Sequence, residues 1–166
     1  MPPRSSTHRI ASLLAVGLLL AACGATAPST PAPDGVAAQL LAEVNAARTT
    51  GRTCGARGAF APTHALALEP RLTAAAQDHS DDMYARRTMS HTGGDGSGPG
   101  QRIARTGYAS ATWGENVAAG YASVDAVMAG WLGSDGHCAN LMNPGFTEFG
   151  AGETERYWTQ VLARPR

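Results

Sequence analysis

Hydrophobic positions recur along this chain with two periods, and the change of period marks its elements. Val36, Leu40, Val44 and Ala47 fall three and four residues apart, the spacing of one face of an α-helix. Asp34 can cap that helix. Arg48 to Thr63 is rich in Gly, Thr and Arg and reads as a loop. Pro70 suits the first turn of a second helix, whose apolar face is Leu72, Ala76, His79 and Met83, with Asp78, Asp81 and Asp82 mostly on the wet side. Gly93 to Gly100 (GGDGSGPG) is a loop, and Gln101 to Arg105 is a short helix that Gly107 closes. Trp113 to Val117 reads as a strand with Glu115 on the face of Trp113 and Val117. Ser123 caps a further helix that turns Val124, Val127, Met128, Trp131 and Leu132 inward. Asn143-Pro144 ends the turn that follows His137. Phe146 to Gly152 and Arg156 to Leu162 read as a hairpin over a weak turn signal, Glu153-Thr154-Glu155. Helices interleaved with strands imply a mixed domain in which helices cover a sheet.

The N-terminal segment departs from both periods. Arg4 and Arg9 precede an unbroken apolar run, Ile10 to Leu20, that ends in Leu20-Ala21-Ala22-Cys23. The run is too short for a membrane-spanning helix and has the layout of an export signal. Its end resembles a bacterial lipobox, which implies cleavage before Cys23 and a diacylglycerol on the thiol. Each buried acyl CH₂ contributes about 0.8 kcal/mol, so several acyl chains anchor firmly. The alternative is plain secretion after Ala25-Thr26-Ala27, with loss of Cys23. Gly24 to Pro33 has no large apolar residue and reads as a tether. The division is a lipoprotein signal peptide (1–22), a tether (23–34) and one folded domain (35–166). Gly24, rather than Asp, after the cysteine points to the outer membrane if the host has one.

Composition removes some classes of partner. All thirteen basic residues are Arg. Without Arg4 and Arg9 the mature chain carries 11 − 13 = −2, and it has no basic block. Nucleic acid and acidic lipid surfaces are therefore excluded as expected partners. Cys54 and Cys138 remain after processing, and two cysteines left in an exported protein are expected to form a disulfide. Metal ligation is the competing reading, without a Cys-x-x-Cys pair to support it.

Four short segments carry a family resemblance: Ser90-His91, Gly114-Glu115-Asn116, Trp131 with Gly136-His137, and Tyr157-Trp158-Thr159-Gln160-Val161. Together they resemble the CAP superfamily (cysteine-rich secretory proteins, venom antigens and pathogenesis-related proteins). The stretch from Gly136 to Pro144 is similar to its bacterial branch. The resemblance spans roughly Val36 to Pro165 and implies a three-layer α/β/α sandwich of the α+β class. It also implies a cleft of two His and two Glu, of which His91, Glu115 and His137 match three. Leu132, Gly133 and Ser134 occupy the stretch where the second Glu is expected, and Asp135 is nearby.

Two neutral imidazoles, His91 and His137, can hold a divalent metal such as zinc and leave positions open. Glu115 can take a proton from a bound water or orient one imidazole. The same three side chains can also be structural, bonding each other and the backbone under a cleft. His79 reads as a hydrogen-bonded core histidine, and His64 has no partner suggested. Trp113, Trp131 and Trp158 read as core before ligand platform. No serine sits in a Gly-x-Ser-x-Gly elbow. CAP relatives imply an envelope-anchored binding module for a small apolar ligand, a glycan, a divalent metal or a protein. The alternative is a metal-assisted hydrolase of a peptide or envelope polymer, with His91, Glu115 and His137 as its catalytic set.

Overall fold

The computed structural model of the chain describes Met1 and residues 35–166. Asp34, Cys23 and the rest of the expected leader and tether lie outside the described residues. Helix α1 (Val36–Thr50) starts after Gly35, which offers no side-chain cap, and buries Leu40, Val44, Ala47 and Arg48. Arg48 is thus a helical residue and not the start of a loop. Its guanidinium, fully buried, donates to the carbonyls of Leu141, Asn143 and Phe146 at 2.7, 2.9 and 3.3 Å. It ties the end of α1 to a distant turn. The expected loop that follows holds a small hairpin, β1 (Arg52–Thr53) and β2 (Ala59–Phe60), around a single 3-10 turn.

Helix α2 (Pro70–Arg86) runs as its period predicts, with Pro70 in the first turn and Glu69 as the cap. Helix α3 (Pro99–Arg105) begins two residues earlier than expected, because Pro99 can open a helix. Helix α4 (Val124–Leu132) is capped by the Ser123 hydroxyl, which accepts from the Ala126 amide. Helix α5 (Asp135–Met142) occupies what the sequence suggests is a turn, so His137 lies in a first helical turn.

A four-stranded sheet separates these helices. Its order is β3 (Ala67–Leu68), β5 (Glu148–Thr154), β6 (Tyr157–Pro165) and β4 (Ser110–Ala119). The β3–β5 pair is parallel and the others are antiparallel. One face packs Phe149, Ala151, Trp158 and Leu162 against Leu40, Val44, Met128, Trp131 and Leu141 of α1, α4 and α5. The other packs Val161 and Ala163 against Leu72, Ala76 and Ile103 of α2 and α3. The result is the expected α/β/α sandwich. Gly150 and Gly152 let α2 approach very closely: a Cβ on Gly150 would lie 2.1 Å from the Thr73 amide nitrogen, and one on Gly152 2.4 Å from Gln77 Cα.

Cys54 and Cys138 form a disulfide across a separation of 84 residues. It fastens the small hairpin to α5, one residue after His137. Among the described residues, no helix is long and apolar enough to cross a membrane.

Candidate functional site

The site lies where the outer strand β4 meets the loop after α2. Strand alternation turns Glu115 toward α3, on the face it shares with Trp113. Its side chain is only 2% exposed, so its carboxylate needs partners. Arg102 of α3 supplies one: Nη2 donates to Oε2 at 2.7 Å. His91 supplies the other: Nδ1 lies 2.8 Å from Oε1. Arg102 also donates to the carbonyls of Ser97 and His91, at 2.7 and 3.0 Å. One guanidinium therefore fixes the carboxylate and the backbone just before and within the glycine-rich loop.

The backbone next to His91 is held from below. His79 is fully buried on α2, and its Nε2 lies 2.7 Å from the Ser90 carbonyl. That contact makes Nε2 the donor and leaves Nδ1 without a proton in the neutral ring. Burial is the main cause pushing the His79 pKa down; the charge of Arg102 adds to it, while Glu115 and Asp82 oppose it. His79 is thus the core histidine that its place on the helix face suggests, and it positions His91.

His137 lies with α5 beside β4, where it is tied to the strand that carries Glu115. Asn116 donates to the His137 carbonyl at 3.3 Å, and Asn140 donates to the Asn116 side chain at 3.0 Å and the Glu115 carbonyl at 3.3 Å. These amides tie α5 to the strand that carries Glu115. The half-buried imidazole lines a cavity of about 280 Å³ with Met89, Val117, Tyr121 and Trp131. Burial lowers its pKa, and the charge of His91 lowers it further. His137 is therefore held neutral, the form that binds a metal.

Asp135 does not stand in for the missing second glutamate. Its Oδ2 accepts from the Ala56 amide at 2.9 Å, which commits it to the 3-10 turn near the disulfide. Among the described residues, no three His, Cys, Asp or Glu side chains gather as a metal set. The side chains that could hold a metal are the His91 and His137 imidazoles, which are linked by the effect of the His91 charge on His137. With Nδ1 on Glu115, His91 keeps Nε2 for a ligand, and the carboxylate orients the ring. Such a metal would supply a Lewis-acid centre with open positions. Arg102 was not marked by any sequence motif. The one available clue was that a buried Glu115 demands a cation.

An α/β/α sandwich with an imidazole–carboxylate cleft at its outer strand defines a CAP-type domain. The chain belongs to the cysteine-rich secretory protein family (CAP), whose family model matches residues 41–158. The uncharacterized protein YkwD of Bacillus subtilis is 32% identical over 97 residues, 57% of this chain and 38% of that protein. The uncharacterized membrane protein YlbC of the same organism is 33% identical over 82 residues, 49% of this chain and 24% of that protein. The chain therefore spans well under half the length of these curated relatives. A crystal structure of an extracellular SCP-domain protein from Bacillus anthracis aligns with a TM-score of 0.60 at 33% identity, over 61% of this chain and 34% of that one. An outer surface protein of Borrelia burgdorferi aligns with a TM-score of 0.58 over 63% of this chain and 80% of its own, and at 22% identity it shows the fold alone.

Proposed function

We propose that this chain is an extracytoplasmic binding module, anchored to the bacterial envelope by a lipid on Cys23, that engages its ligand through His91 and His137. The observation that carries this reading is the state of Glu115. Both of its oxygens are taken, one by Arg102 and one by His91. A carboxylate paired in this way orients an imidazole and is poorly placed to act as a base toward water. The Cys54–Cys138 disulfide suits an oxidising compartment, and the Bacillus anthracis relative is described as extracellular.

Zinc is the probe for the cleft. Titration calorimetry of the mature protein should show binding that weakens as pH falls through about 6.5, where protons compete for the rings. His91→Ala and His137→Ala should each abolish it. Zinc binding unchanged by either substitution would end the reading. A metal-assisted hydrolase is the second reading, favoured by the carboxylate-oriented imidazole of His91. Zinc-dependent peptide or envelope-polymer cleavage that disappears in both variants would establish it in place of the first. The anchor has its own test: Cys23→Ser should move the protein from membranes to the soluble fraction. An unmodified N-terminus just after Ala27 would show secretion instead.

A further inference from the structure

Trp113 is 44% exposed, while Trp131 and Trp158 are 1% and 4% exposed. The sequence suggests a core position for all three, and the structure corrects that for Trp113. An indole held this far out of the core forfeits much of its burial energy, which for a large side chain is about 1.5–3 kcal/mol. The position is nevertheless built. A Cβ on Gly100 would stand 2.9 Å from the indole Nε1 and 3.0 Å from Cε2. Only glycine in the first turn of α3 lets the ring rest there, supported on one side and open on the other.

The open side borders a groove of about 770 Å³ whose lining includes Gly100, Ser110, Thr112, Trp113 and Arg166 together with Tyr108 and several alanines. That volume is within the range of about 300–1,000 Å³ usual for ligand sites. Arg166 Nε donates to the Ser110 carbonyl at 3.1 Å, which holds a guanidinium at the edge. No carboxylate lines the groove. We propose that this groove is a saccharide-binding subsite, in which a neutral sugar ring stacks on the Trp113 indole and its hydroxyls meet Ser110, Thr112 and the Arg166 guanidinium.

The chemistry of the lining selects this ligand class. A pyranose presents a flat C–H face, which an indole matches, and a rim of hydroxyls, which short polar side chains match. A cationic ligand would need acidic walls. A protein anchor would need large apolar side chains around the aromatic to exclude water from it, and the glycines, alanines and hydroxyls of this lining do not provide them. β4 is the outer strand of the sheet, so a chain-like ligand can enter from the side. Trp113 and Glu115 share one face of β4 at a spacing of about 7 Å. The groove runs from Trp113 toward Ser110 and Arg166, away from Glu115, so stacking requires neither histidine.

Tryptophan fluorescence and calorimetric titration of the mature protein with two neutral β-linked oligosaccharides, chitotetraose and cellotetraose, test the proposal. At least one should bind and shift the fluorescence. Trp113→Ala should weaken it by about tenfold, the scale of one lost stacking contact, and Trp113→Phe should retain part of the affinity. Trp113 is exposed, so both variants should keep the wild-type circular dichroism and zinc titration. His91→Ala should lose zinc while still binding the sugar, so failure at one site does not count against the other. Binding of neither oligosaccharide, or binding that survives Trp113→Ala, would overturn the assignment.

Discussion

At the scale of single residues, Arg102 decides whether the site can exist. Its side chain is 9% exposed and Glu115 is 2% exposed, so each charge depends on the other. Removing one partner of a buried pair costs about 3–5 kcal/mol, because the remaining charge is stranded. Arg102→Ala should lower the unfolding free energy on that scale in urea denaturation. Adding Glu115→Gln should restore part of the loss, since it removes the stranded charge. A loss below about 1 kcal/mol, the worth of a surface pair, would show that the pair is not structural. Glu115 was legible in the sequence because it sits in its own short motif. Arg102 was not, because an Arg in a seven-residue helix reads as solvated. His79 lay between these cases. Its place in line with Leu72, Ala76 and Met83 marked it as core, but its bond to the Ser90 carbonyl joins different elements, which no local pattern encodes.

At the scale of elements, the long helices and the three long strands were readable because each runs for enough residues to display its period. The misses were short or irregular. β3 is two exposed residues long, too few to alternate. α5 has eight residues including a glycine and an asparagine, and its inward side is only Cys138, Leu141 and Met142. The β5–β6 hairpin was expected with a weak turn, and the structure shows why it looks weak. Glu155 and Arg156 join the strands with φ of 48° and 68°, both left-handed, as in the two-residue turn that favours Asn-Gly. Left-handed conformations cost most L residues about 1–2 kcal/mol each. The double substitution Glu155→Asn with Arg156→Gly should therefore raise stability by about 1 kcal/mol, read as a higher Tm. An unchanged or lower Tm would mean that the two left-handed residues are not strained in the folded chain.

At the scale of the whole molecule, the sandwich brings two neutral histidines into one fold, and that sets its response to acid. His79 and His137 both have their pKa lowered from 6.5, each chiefly by burial. For His79 the nearby charges divide, with Glu115 and Asp82 favouring the proton and Arg102 opposing it; for His137 the neighbouring His91 opposes it. The unfolded chain titrates both near 6.5. Below that pH it binds protons that the folded chain refuses, so stability falls with pH. Their contribution is complete above about 6.5 and is lost as pH drops toward the folded values. The carboxylates shift the other way. Asp82 and Asp95 are held below 3.8, Asp82 chiefly by Arg86 and Asp95 chiefly by Ser97 with Arg105 adding to it. Their contribution persists until the pH falls below the ordinary carboxylate range. Acid unfolding should therefore proceed in two stages, the first from the histidines and the second from the carboxylates. Tm measured from pH 8 down to about 3, a range spanning both reference values, should show both declines. In His79→Gln with His137→Gln the first should flatten while the second remains. A wild-type Tm that stays level between about pH 7 and 5, the interval in which His titrates, would mean that neither ring excludes its proton in the folded state.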